Sequence, residues 1–122
     1  MGRLKKTDME QLNRIELSGT VGNAYFTDLG EKQVLRFTLV TNFAYRGKEG
    51  DVIEATWHNI VAWKSQKMPD LSTIGKGSRV HIVGRMRNDK YVDRNGSEVS
   101  QYIVAADWME ILKNEDSFVS QM

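Results

Sequence analysis

The residues with the greatest chemical potential in this chain are aromatic. Trp57 and Trp63 fall in one run, residues 55–64, that is rich in β-branched and aromatic side chains and free of Gly and Pro, the composition of a strand. Side chains alternate between the two faces of a strand, so both indoles point the same way. Ile53, Ala55, Asn59 and Val61 join them, while Thr56, His58, Ile60 and Ala62 take the other face. Two indoles on one face form either half of a core or a platform on which something flat stacks. Two features favour the platform. Ile60 and Ala62 can furnish a core from the opposite face, and Asn59 between the indoles is costly to bury without a partner. Trp108, reckoned to share a face with Tyr102, Val104 and Ala106, reads as structural or interfacial.

Cations are interleaved with further rings. Tyr45 precedes Arg46, Tyr91 follows Lys90, and Arg85, Arg87, Lys90 and Arg94 cluster around one expected hairpin. Lys64, Lys67, Lys76 and Arg79 surround the turn before it. Single-stranded nucleic acid calls for this mixture, because rings stack on unpaired bases of any sequence and cations track the phosphates. The plainer reading of the same cations is a solvated surface of mixed charge.

Catalytic chemistry finds no support. The two histidines, His58 and His81, sit inside strand patterns without a partner at metal-ligand spacing, so both read as hydrogen-bonded structural residues. The chain has no cysteine, which excludes disulfides, thiolate metal sites and a cysteine nucleophile. The pairs Gly47/Gly50 and Gly75/Gly77 lack the context of a phosphate loop, and Asp107 and Glu110 form no catalytic pair. Neither enzymatic activity nor a metal or cofactor is expected.

The elements that must position the rings follow from alternation and turn chemistry. Residues 1–12 read as a flexible basic arm, residues 13–112 as one folded domain and residues 113–122 as a short disordered tail. Ile15, Leu17, Gly19 and Val21 share one face of a first strand, with Gly19 or Gly22 marking a bend or bulge. Residues 25–30 read as a connection, residues 33–41 as a second strand with Leu35, Phe37 and Leu39 in register, and residues 42–51 as a loop. The third strand runs over residues 52–64. One helix is expected over residues 65–74, kept short by Pro69 and by Gly75-Lys76-Gly77. Val80, Ile82, Gly84 and Met86 alternate along a fourth strand over residues 78–87. Lys90-Tyr91-Val92 leads to a turn at Asp93-Arg94-Asn95-Gly96, and residues 102–111 form the last long strand.

At 122 residues the chain suits one domain with a real core. The net charge of +1 does not by itself announce a nucleic-acid partner. No apolar run has the length of a membrane span, and no apolar segment follows the basic N-terminus; the expectation is a cytoplasmic protein. Short strands with Gly-rich turns and a single helix between the third and fourth strands predict an all-β fold, a five-stranded OB barrel of Greek-key type.

Several separated segments carry a family resemblance. Residues 13–22, Asn-Arg-Ile-Glu-Leu-Ser-Gly-Thr-Val-Gly, resemble the opening strand of bacterial single-stranded DNA-binding proteins (SSB). Residues 56–64, Thr-Trp-His-Asn-Ile-Val-Ala-Trp-Lys, resemble their Trp-His segment. Residues 75–87 resemble their fourth strand, followed by an aromatic hairpin at Tyr91 and Asp93. The resemblance covers residues 13–112 in order. It implies that Trp57, Trp63, Tyr45 and Tyr91 stack on bases, that Arg46, Lys64, Arg85, Arg87 and Lys90 contact phosphates, and that His58 lies near a subunit contact. It also implies an OB fold, assembly as a homotetramer rather than a dimer, and a place in the bacterial cytoplasm with the nucleoid. Its members protect single-stranded DNA in replication, recombination or repair.

Family members usually continue into a Gly- and Pro-rich linker with an acidic, hydrophobic tip, of which Glu115, Asp116 and Phe118 are a poor copy. The expectation is therefore a form lacking that tip, whose protein partners are not recruited through it, or one similar to the short primosomal replication proteins. The alternative is an OB module of a replication-restart or conjugation complex, with protein contacts foremost and DNA or RNA binding secondary.

Overall fold

The computed structural model describes residues 11–113. The arm expected over residues 1–12 and the tail expected over residues 113–122 lie outside the described residues, apart from Gln11, Leu12 and Lys113. Five strands, β1 (Ile15–Asp28), β2 (Gln33–Gly47), β3 (Gly50–Trp63), β4 (Arg79–Val92) and β5 (Glu98–Ile111), close into a barrel in the order β1-β2-β3-β5-β4. All neighbours are antiparallel except β3 and β5, and β4 against β1 makes the closing seam. This is the five-stranded barrel that the alternation predicts, with its single helical element between β3 and β4.

The interior follows from the period of two. Val21, Leu35, Phe37, Leu39, Ile60, Ala62, Val80 and Ile82 are all buried in one cluster, each from the strand face that alternation assigns inward. Fully burying a side chain of this size stabilises by about 1.5–3 kcal/mol, so these residues decide which face of each strand is inside. The expected helix over residues 65–74 contracts to a 3₁₀ turn, Leu71–Thr73. Asp70 caps it by accepting from the Ser72 backbone N–H at 3.1 Å and the Ser72 hydroxyl at 2.7 Å. Side chains that bond the local backbone compete with helix growth, and Pro69 and Gly75 bracket the segment. The turn still closes the barrel, because Leu71 and Ile74 enter the core.

Three expectations from the sequence are corrected. Residues 25–30 are not a connection. β1 continues to Asp28, paired through Asp28↔Gln33, and the chain reverses only at residues 29–32. Residues 42–51 are likewise mostly strand, since the β2–β3 ladder runs unbroken to Gly47↔Gly50. In both places the strands leave the barrel or its core, both faces meet water, and hydrophobic alternation ends while backbone pairing persists. Trp108 does not share a face with Val104. The register between β4 and β5 shifts between Val83↔Trp108 and Gly84↔Ala106, so Asp107 is an extra residue. Met109, not Trp108, enters the core with Val104.

The remaining turn and the bulge in β1 match their residues. Asn95-Gly96 closes β4 onto β5, with Gly96 at φ +80° and the Asp93 carboxylate accepting from the backbone N–H groups of Asn95 and Ser97, both at 2.9 Å. A register shift between Val21 and Ala24 sets two residues of β1, Gly22 and Asn23, opposite Thr38 of β2, which is the bulge expected at Gly22. Gly84 is the tightest backbone approach on β4. A Cβ there would collide with the Ala105 carbonyl of β5, a backbone group that cannot swing aside. Gly84→Val is expected to destabilise the barrel by about 1–3 kcal/mol, lowering the urea midpoint at an unchanged slope. A midpoint equal to that of the parent protein would show that β4 and β5 do not pack this closely.

Candidate nucleic-acid interface

Because Ile60 and Ala62 face the core, β3 must present Trp57 and Trp63 outward. They are 60% and 44% exposed, an exposure that sets them apart from core aromatics. The Trp57 indole is not loose. It reaches across β2 to the β1 bulge, where a Cβ on Gly22 would come within 2.6 Å of its Cζ3 and 2.8 Å of the Thr38 hydroxyl. The missing side chain of Gly22 is thus the seat of the ring. Between the indoles the outward positions are Asn59 and Val61, and Val61 is buried against Val34, Ile103 and Ala105.

Ladder partners extend this face over all five strands. Tyr25 pairs with Arg36, Arg36 with Val61, Val61 with Ala105 and Ala105 with Arg85. One side of the row is a groove of about 550 Å³ lined by Trp63, Lys64, Lys67, Arg85, Arg87 and Asp107. Arg85 donates to the Asp107 carboxylate at 2.7 Å, with Asp107 presented by the β5 bulge. Both side chains are about half exposed, and such a pair contributes only about 0–1 kcal/mol, so an incoming anion can compete for the guanidinium. Among the described residues, Lys64, Lys67 and Arg87 form no ion pair.

The structure assembles some of the sequence-selected residues and separates others. Trp57, Trp63, Lys64, Arg85 and Arg87 border one continuous surface. By alternation along the regular part of β4, Tyr91 faces the same way as Arg85 and Arg87, whereas Lys90 points with Met86 and Asn88 to the other side. Arg46 has the parity of Trp57, but lies at the far end of the β2–β3 ribbon opposite Asp51. Tyr45 has the opposite parity, and its ring tilts against Phe43 at 6.3 Å. His58 is on the inward parity at the barrel mouth, half-buried, with Nε2 2.9 Å from the Thr41 hydroxyl.

Sequence reasoning missed Tyr25 and Arg36 as outward residues of this face. Tyr25 falls in the expected connection and Arg36 between the core residues Leu35 and Phe37, and only the pairing of β1, β2 and β3 brings them beside Val61. Lys67 was noted as part of a basic cluster, and its place on the Trp63 groove depends on the irregular segment after β3. His81 bonds the Glu16 carboxylate at 2.6 Å across the β1–β4 seam and meets the edge of Trp108 at 5.5 Å. That hydrogen bond, from a histidine opposed only by slight burial, holds the Glu16 carboxyl below the usual carboxylate range. The described residues contain no cluster of His, Asp and Glu able to hold a metal. Flat rings, an apolar floor at Val61 and cations suit binding rather than bond-making.

Comparison with known proteins gives concordant findings. The family model described as "Single-strand binding protein family" matches residues 12–112. The single-stranded DNA-binding protein of Neisseria meningitidis serogroup A is 30% identical over 112 residues, which cover 87% of this chain and 64% of that protein. Single-stranded DNA-binding protein 1 of Chlorobaculum tepidum is 33% identical over 114 residues, covering 87% and 68%. The chain therefore spans a little under two thirds of the Neisseria protein's length. Among solved structures, a Plasmodium falciparum SSB in complex with ssDNA superposes with a TM-score of 0.66 at 23% identity, covering 85% of this chain and 97% of that one. This last likeness is one of fold.

The setting of His58 yields a test of the barrel mouth. Burial holds its pKa below the ordinary imidazole value. A folded pKa below the unfolded one means that the associated stability is fully present above about pH 6.5 and is lost as pH falls toward the folded pKa. An NMR titration of the folded protein is expected to give His58 a midpoint below that of a histidine peptide. The urea midpoint should decline over the same interval, and His58→Gln should remove that part of the decline. A peptide-like midpoint would place the ring in water, and a higher one would place it beside an anionic group.

Proposed function

The chain belongs to the single-strand binding protein family, and from that premise we propose that it binds single-stranded DNA with Trp57 and Trp63 as the stacking platform. The family consists of binding proteins rather than enzymes. The observation that carries the reading is the exposure of both indoles on one face of β3, beside a groove lined by Lys64, Lys67, Arg85 and Arg87. The strand lies across β2 and β3 with bases on the indoles, and its phosphates follow the groove toward Arg87 and Tyr91. Tyr45, Arg46 and Lys90 engage later in its path, where the hairpin arms leave the barrel. His58 serves a contact between subunits of a homotetramer. The protein acts in the bacterial cytoplasm, protecting strands exposed during replication, recombination or repair. No helix among the described residues is long and apolar enough to cross a membrane.

One observation favours a second reading. Phe43 and Val52, on the face of the β2–β3 ribbon opposite in parity to Trp57, are 67% and 38% exposed, and a protein partner of a replication-restart or conjugation complex would cover them. In that case the ribbon, not the indole face, would be the principal surface.

Titration with oligo(dT), followed by tryptophan fluorescence, separates the two. Strand binding predicts saturable quenching. Trp57→Ala and Trp63→Ala should each cost about 1–3 kcal/mol of binding while the circular dichroism of the barrel is retained. Log affinity should fall with log salt by roughly 0.7 per phosphate contacted, and Arg87→Ala should make that slope shallower by about one contact. Folded protein whose fluorescence does not respond to the strand would move the protein-interaction reading to first place.

A further inference from the structure

Between the two indoles the outer face contains a small pocket of about 210 Å³, lined among others by Tyr25, Arg36, Asn59, Val61, Gln101 and Ile103. It is smaller than the roughly 300–1,000 Å³ clefts that hold drug-sized ligands. The floor is apolar, since Val61 and Ile103 are buried at 1% and 4% exposure. The rim is polar and drawn from four strands: Tyr25 on β1, Arg36 on β2, Asn59 on β3 and Gln101 on β5. Arg36, Asn59 and Gln101 make no side-chain hydrogen bond or ion pair among the described residues. A fork of donors and two carboxamides thus stand open around an apolar floor. Tyr25, 70% exposed, is placed to cover a ring from the β1 side.

Phosphate contact alone does not explain this composition. A phosphate needs donors and charge, and gains nothing from two carboxamide oxygens or an apolar floor. A base edge uses all of them. The guanidinium is donor-only and planar, and bidentate contact with guanine O6 and N7 is its commonest specific pairing with a base. Guanine also carries N1–H and N2–H₂ donors, which the carboxamide oxygens of Asn59 and Gln101 can accept. Adenine sets a donor beside N7 and so opposes one arm of the fork. Cytosine offers adjacent acceptors but only one donor group for the two carboxamides.

Resting on the strand-binding reading above, we propose that this pocket reads the Hoogsteen and Watson–Crick edges of one base and makes the protein prefer guanine at a single position of an otherwise sequence-tolerant strand. Stacking on Trp57 and Trp63 holds the strand, and the pocket between them sets its register. A strand carrying one guanine settles with that base against Arg36.

The test uses the whole chain and four strands, oligo(dT) and the same oligomer with one central dG, dA or dC, read by tryptophan quenching. The guanine strand should bind at least about tenfold more tightly than the others. Arg36→Lys keeps the charge and loses the fork, and should bind all four strands alike, with the salt slope of the parent protein. Equal affinities of the parent protein for all four strands, with quenching intact, would overturn the base-reading role and leave strand binding standing. An Arg36→Ala variant that loses affinity equally for every strand, with a shallower salt slope, would make Arg36 a phosphate contact instead. No quenching with any strand would overturn both readings.

Discussion

Closure of the barrel is the constraint on which the exposed surface depends. An open sheet can turn either face to a core, but a closed one has a single interior, and its strands alternate in and out with no freedom to exchange faces. The β1–β4 seam, from Ile15↔Gly84 to Thr20↔Arg79, completes that closure. Once Ile60 and Ala62 are inside with Leu35 and Phe37, the indoles of the same strand are outside by geometry. Exposing two tryptophans forgoes the burial of some of the largest apolar side chains available. The barrel tolerates this because its interior is filled by aliphatic residues from all five strands.

Charge on this protein is a matter of place, not amount. With a net charge of +1, long-range attraction of a polyanion is weak, and at physiological salt fields fade over about 8 Å. The groove beside Trp63 nevertheless gathers Lys64, Lys67, Arg85 and Arg87, and Asp107 pairs with one of these cations, Arg85. Recognition on such a surface is short-ranged. On the proposed reading, the rings and the pocket floor hold the bases before the cations meet phosphate.

The fold and part of the site were legible in the sequence because both rest on the period of two. Ile60 and Ala62 against Trp57 and Trp63 is a local pattern, readable without knowing any partner strand. What escaped reading depends on register and on strands that do not bury a face. Tyr25 joins the outer face only because β1 continues past its last core residue and pairs with β2. Trp108 changed sides because Asp107 is one residue too many for β4, and nothing in the local composition marks that insertion. Tyr45 carries the aromatic character that the resemblance implies, yet the unbroken β2–β3 register places it opposite Trp57 in parity. Residue type was readable at these positions; residue direction was not.

The two hairpin arms differ from the barrel in stiffness. Within the barrel each strand has neighbours on both sides, and opening it means breaking two ladders. Beyond it, the β2–β3 ribbon around Tyr45 and the β4–β5 arm around Tyr91 are pairs of strands alone, of a kind that is marginal in isolation, and such segments belong to the low-stability end of a structure. Trp57 and Trp63 therefore sit on backbone that is already ordered, whereas the tyrosines ride on backbone whose ordering must be met from the contacts it makes. The surface accordingly divides into a rigid anvil and two compliant fingers, and whatever entropy the protein loses on contact is lost mainly in the fingers.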